Sequence, residues 1–306
     1  MKMMLSLAWL LIAIAHKAKP FISEHFNECR EFFYKGQLPD GFDDIALPHH
    51  INHPNLPDGI KERNLASPAY ICQQYKNDDR FASLYDRGRR VPLYSAYILD
   101  RRSASNCSDR KNTFDVEPQL VDRALNKAML RESATTREIQ IHFKLKNIQE
   151  AQERLRTSQA VNADYGIAGF HRGHLNPVCH HEDKDAQDAT FTLTNAVPMD
   201  SSLNQGQWRI YEKQMIAKAR DCNTMYVVTG IVPGNNWIKN DRVNIPSQVW
   251  SAYCCVGNND KPIGSGAGLA NNINYSVTEL NVTELELQLQ RLIQNIPFSI
   301  FHNKCS

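Results

Sequence analysis

The chain has 306 residues, of which 42% are hydrophobic and 22% charged, an ordinary globular composition that supports a sizeable core and excludes wholesale disorder. Lysine and arginine number 35 against 33 aspartates and glutamates, for a net charge of +2. This near-balance excludes a broadly basic nucleic-acid wrapper, so any phosphate-binding surface has to be local.

Met1-Lys2 forms a short basic region, followed by a run of eleven mostly apolar residues from Leu5 to Ala15, with small residues at 13 and 15. The run is too short to cross a hydrocarbon core and predicts a secretory signal peptide over residues 1–15. No other stretch approaches a membrane span, so the mature chain is expected to be secreted and extracellular, without stable membrane insertion. Gly36 to Pro68, rich in Pro, Gly, Asn and Asp, reads as irregular surface structure. The basic run Arg87-Gly88-Arg89-Arg90 is a candidate phosphate contact, with Arg90 the strongest member because it starts the next element. That element, Arg90 to Asp100, has the β-branched and aromatic content of a strand, with Leu93, Ser95, Tyr97 and Leu99 on one face.

Pro118 to Arg131 places Leu120, Val121, Ala124, Leu125, Ala128 and Met129 at helical spacing. Ile167 to Phe170 reads as a short strand running into His171-Arg172-Gly173-His174, and Thr190 to Pro198 as a second strand. A loop with Asn204 then leads into a helix from about Gln205 to Arg220, its apolar stripe made by Trp208, Tyr211, Met215 and Ala219. Thr224 to Val232 is a buried strand. Thr283-x-x-Glu286 predicts a capping box for a terminal amphipathic helix carrying Leu285, Leu289, Leu292, Ile293 and Ile296. Strands and helices without regular alternation give the class α+β, and nothing marks a boundary within 20–306, which reads as one domain.

All eight cysteines follow residue 15. An even number in an exported chain predicts disulfides, in any of about a hundred pairings. Sequons at Asn106, Asn274 and Asn281 fit a glycosylating secretory route.

Phosphodiester hydrolysis needs an activated water and positive charge on the phosphoryl oxygens. A neutral histidine can take the proton, and a hard cation anchored by few protein oxygens can carry the charge. On one helix, positions 204, 208 and 212 would share a face, bringing Glu212 near Asn204, with Trp208 as core packing. His171, His174, His180 and His181, with Glu182 and Asp183, raise a rival transition-metal cluster. Gly173 and Pro177 argue against a regular zinc helix, and residues 180–185 read as an exposed polar loop.

Three motifs in order, Phe170-His171-Arg172-Gly173-His174-Leu175-Asn176-Pro177, Leu193-Thr194-Asn195-Ala196-Val197-Pro198 and Leu203-Asn204-Gln205-Gly206-x-Trp208-x-x-x-Glu212, resemble the DNA/RNA non-specific endonuclease family. Segments 81–86, 91–97 and 300–305 extend the resemblance toward secreted endonuclease-domain proteins. It implies a ββα-metal (His-Me finger) nuclease fold with a central antiparallel sheet flanked by helices, Mg²⁺ (or Mn²⁺) as cofactor, and DNA or RNA as partner. Carried over by position, His174 is the general base and Asn204 the metal ligand. Arg172 binds phosphate, Glu212 orders water around the cation, and Asn195 supports the site by hydrogen bonds. The family's motif has Asp where this chain has His171. That departure keeps an alternative open: a nuclease-fold binding protein for nucleic acid or a protein partner, with catalysis weakened or lost.

Overall fold

β-Branched and aromatic residues from Ala69 to Val256 supply most of one antiparallel sheet in a computed structural model, which describes residues 22–23, 25–47, 67–103, 107, 111–273 and 276–305. Its strands are β1 (Ile22–Ser23), β2 (Ala69–Tyr75), β3 (Asp78–Asp86), β4 (Val91–Leu99), β7 (Thr224–Val232), β10 (Gln248–Val256), β11 (Pro262–Asn271) and β12 (Val277–Leu280), adjacent in that order. The central neighbours β4 and β7 pair directly, Tyr94 opposite Gly230 and Leu99 opposite Met225. The 124 residues between them in sequence (100–223) therefore leave the sheet and return beside their starting point.

This excursion holds helices α1 (Glu132–His142) and α2 (Ile148–Ser158) and then a compact unit, with α3 (Lys184–Ala189) in the connection between its two strands. In that unit the hairpin strands β5 (Phe170–His174) and β6 (Ala196–Asp200) pair antiparallel, and α4 (Ser201–Gln205) and α5 (Gln207–Ala219) follow. Two strands followed by a helix is the expected ββα arrangement. A small ribbon, β8 (Asn236–Ile238) with β9 (Val243–Ile245), lies outside the main sheet.

Alternation on β7 shows how the sheet is sandwiched. Met225, Val227 and Ile231 pack into the core shared with the excursion, whereas Val228 and Val232 join a second core with α6 (Val282–Leu292) and the segments near Phe42 and Phe298. β4 is likewise buried on both faces. Leu93 is the extra residue of a bulge between the Tyr85–Pro92 and Leu84–Tyr94 pairs, and it turns to the second core while Tyr97 and Leu99 stay in the first.

The helix expected over 118–131 does not form. Asp122 and Asn126 use their side chains to accept from Ala124 and Ala128 backbone N–H groups, closing local turns, and Val116 bridges Leu130. Side chains that compete for backbone donors in this way favour turns over helix. The capping box of α6 lies two residues earlier than predicted: Asn281 accepts from the Glu284 N–H and Glu284 returns to the Asn281 N–H. The expected signal peptide and the sequons at Asn106 and Asn274 lie outside the described residues. Among the described residues no helix is long and apolar enough to cross a membrane.

The eight cysteines form four disulfides, Cys29–Cys72, Cys107–Cys179, Cys222–Cys255 and Cys254–Cys305. Adjacent Cys254 and Cys255 point to opposite faces of β10, so one ties the C-terminal segment to the second core and the other ties the end of α5 to the first.

Candidate active site

Glycine at 173 is what lets the hairpin close. A Cβ there would lie 2.5 Å from the Cβ of Met199 on β6, so β5 can approach its partner only without a side chain. From β5, Arg172 and His174 both reach Phe114: the guanidinium carbon lies 4.8 Å from that ring and the imidazole 5.1 Å. Phe191 meets His174 edge to face at 5.0 Å and packs on Phe114 at 5.4 Å, so the three rings form one cluster, and His174 is only 7% exposed. Arg172 is aimed by a neutral partner, donating to Asn162 Oδ1 at 2.9 Å, and it has no carboxylate in ion-pair range among the described residues. Its charge therefore remains available to an anion.

Asn195, fully buried, ties the end of β5 to the rest of the protein. Its Oδ1 accepts from the Asn176 N–H and the Ser95 hydroxyl, while its Nδ2 donates to the carbonyls of Asn176 and Thr190. It positions His174 through the residues that follow it and through the central strand β4, without lining the cleft.

The predicted continuous helix is broken at Gly206, whose ψ of −113° ends α4. A Cβ at Gly206 would stand 2.5 Å from the Ser202 carbonyl oxygen, so the close turn requires glycine. Asn204 thus belongs to α4, capped by Asp200, and Glu212 to α5. Both nevertheless border the same cleft, of about 920 Å³, together with His171, Arg172 and His174. Trp208 is buried against Tyr211, as core packing.

Sequence reasoning missed Arg209 and Lys213, which also line the cleft and make no ion pair among the described residues. Their signal was available: they stand four residues apart on α5, on one helical face, Arg209 inside the third motif and Lys213 directly after it. Together with Arg172 they supply the local positive surface that a net charge of +2 requires.

The basic run at 87–90 has another role. Arg87 is buried and donates to the Leu120 carbonyl, Arg89 pairs with Asp86 at 2.6 Å, and Arg90 donates to the Arg242 carbonyl at 3.0 Å. Burial, then the neighbouring Arg242 charge, lowers the Arg90 pKa. None of the three lines the cleft.

Nor do the histidines cluster. His180 is buried, with Nδ1 at 2.9 Å from the Tyr97 hydroxyl and Nε2 donating to the Glu212 carbonyl at 3.0 Å, while His181 donates to Asn176 Oδ1. Burial holds both neutral, lowering their pKa values to about 3 and about 4. Asp183 caps α3 and pairs with Arg80, and Glu182 pairs with Arg102. Among the described residues no group of three or more His, Cys, Asp and Glu side chains is arranged to hold a metal. The cleft is lined by Asn204 and Glu212, whose side chains carry an amide and a carboxylate oxygen. That set fits a hard cation that keeps most of its water.

Comparison with known proteins bears on the family. The profile of the DNA/RNA non-specific endonuclease family matches residues 63–292. Endonuclease domain-containing 1 proteins of Mus musculus and Homo sapiens are 29% and 30% identical over 287 and 293 residues, covering 92% of this chain and 48% of each relative. The chain thus spans about half the length of the curated relatives it matches. Human mitochondrial endonuclease G is 41% identical over 73 residues, 24% of this chain and 25% of that protein. Among solved structures, a crystal structure of the EndoG/EndoGI complex aligns with a TM-score of 0.47 at 17% identity, covering 71% of this chain and 84% of that one.

Proposed function

Since the chain belongs to the DNA/RNA non-specific endonuclease family, as the match over residues 63–292 establishes, we propose that it hydrolyses phosphodiester bonds of DNA and RNA in the cleft beside β5 and α5. One observation carries this reading: the imidazole, guanidinium, amide and carboxylate of residues 174, 172, 204 and 212 converge on one basic cleft.

His174 takes the proton from the attacking water. Its ring is packed against Phe114 and Phe191, and Asn195 fixes the backbone that follows. Arg172, held by Asn162, binds a phosphoryl oxygen as a charge-assisted donor. Asn204 would hold the divalent cation, Mg²⁺ or Mn²⁺, through its amide oxygen, and Glu212 would accept hydrogen bonds from water around it. When bound, the cation supplies positive charge to the phosphate as negative charge builds in the transition state. Four disulfides suit an oxidising compartment, and we place the protein outside the cell, with residues 20–306 acting as one unit.

The test is cleavage of supercoiled plasmid and of RNA by the purified chain with Mg²⁺ or Mn²⁺. Nicking that EDTA stops, and that His174→Ala lowers by about 10²–10⁴-fold with the fold intact, is expected. His174→Ala cutting at the wild-type rate would remove the assignment. Nucleic acid bound but never cut under any metal would replace it with the binding-protein alternative.

A further inference from the structure

Alternation along β5 divides its side chains between two neighbours. Arg172 and His174 reach Phe114, whereas His171 reaches α4, where Asn204 Nδ2 lies 3.4 Å from His171 Nδ1. This is a long contact for an N–H···N hydrogen bond. Among the described residues it is also the only hydrogen bond or ion pair that the His171 side chain makes. Rotation of a carboxamide exchanges its oxygen and nitrogen without moving the chain, so Oδ1 can stand where Nδ2 does. An imidazole lone pair and an amide oxygen would then be separated by about the 3.0–3.4 Å that divides neighbouring ligands on one ion with bonds of about 2.0–2.1 Å. His171 is partly exposed on the cleft wall beside Asn204, while His174 is buried against Phe114 and Phe191.

We infer that His171 is itself a ligand of the divalent cation, paired with Asn204, and that it moves the site's preference from Mg²⁺ toward borderline ions such as Mn²⁺ and Co²⁺. The inference rests on the reading of Asn204 as the cation's anchor. Its chemical basis is the donor type. Mg²⁺ takes oxygen ligands and gives up water reluctantly, whereas an imidazole nitrogen suits first-row transition ions. An aspartate in the same place would supply charge and oxygen and keep the site hard. The substitution that breaks the family motif therefore retunes the metal centre instead of dismantling it.

Pulsed electron paramagnetic resonance of Mn²⁺ bound to the full, disulfide-bonded chain tests this directly. Wild type is expected to show the nitrogen hyperfine coupling of one ligated imidazole, and His171→Asp to keep the ion while losing that coupling. Calorimetry should show the Co²⁺-to-Mg²⁺ affinity ratio falling by about tenfold or more in the variant. His171→Asn serves the same comparison if the Asp variant does not fold, and the wild-type spectrum alone is decisive. A wild-type ion without imidazole coupling, a coupling that survives in both variants, or an unchanged affinity ratio overturns the inference. Asn204→Ala separates the two layers. Cation binding that needs Asn204 but shows no imidazole coupling overturns only the role of His171, and binding indifferent to Asn204 overturns both.

Discussion

Asn195 shows how much a single side chain can hold at this site. It makes four hydrogen bonds, all buried, to the backbone after His174, to Thr190 and to Ser95. Asn195→Ala leaves the Asn176 N–H and two carbonyls without that partner, and an unsatisfied buried group costs about 1–3 kcal/mol. A loss of several kcal/mol is expected in urea unfolding, with turnover falling more than substrate affinity because Asn195 does not border the cleft. Arg209 and Lys213 should behave in the opposite way. They line the cleft and make no ion pair among the described residues, so replacing both with glutamine is expected to weaken nucleic-acid binding. The dependence of affinity on log salt should flatten by about one unit for each phosphate no longer neutralised. An unchanged salt slope would show that neither side chain touches phosphate.

At the scale of elements, the hairpin β5–β6 depends on its close approach at Gly173. Gly173→Ala would drive a methyl group against Met199 Cβ, and overpacking of this kind costs about 1–3 kcal/mol. The expected result is a lower denaturant midpoint together with reduced cleavage, since the same strand carries Arg172 and His174; full stability in the variant would refute the packing argument. The motif-bearing part of this unit was legible in the sequence because its chemistry needs particular residue types at particular spacings. The helix after Asn204 and the strand Thr224–Val232 follow from local pattern, whereas the strand expected over 167–170 lies instead at Phe170–His174, in the motif itself. The illegible parts depend on what the chain meets after folding. Apolar spacing over 118–131 gave way to side-chain turns at Asp122 and Asn126. Arg90 was drawn inward to the Arg242 carbonyl. His180 and His181 read as loop residues and instead link β4, α5 and Asn176. No spacing rule reveals a buried imidazole whose partners are 83 and 32 residues away.

At the scale of the whole molecule, buried titratable groups beneath the site set the pH range in which it stays folded. His180 and His181 have pKa values lowered by burial to about 3 and about 4, against 6.5 when exposed. The stability they contribute is present above 6.5 and is lost as pH falls toward those folded values, because the unfolded chain takes up the protons first. Glu117 acts in the other direction. Burial raises its pKa from 4.5 to about 8, although the hydroxyls of Thr192 and Thr194, which donate to its Oε1 at 2.9 and 3.2 Å, pull it down. A raised folded pKa means that its contribution is full below 4.5 and is lost as pH rises through 8. Glu117 also receives Gln159, whose amide bonds to its backbone N–H and carbonyl, so the carboxyl sits where the segment before α1 joins the end of α2. Glu117→Gln keeps an oxygen to accept from both threonines and removes the ionisation. The variant is expected to lie close to wild type in melting temperature near pH 4.5–5, to exceed it increasingly as pH rises to about 8 and to keep that margin above it, while the acid limb set by His180 and His181 stays in place. Thermal unfolding of the two proteins across that range is the measurement. Parallel curves would mean that Glu117 does not carry the alkaline loss, and a variant already weaker at pH 5 would mean that the carboxyl's own proton makes a bond the amide cannot replace.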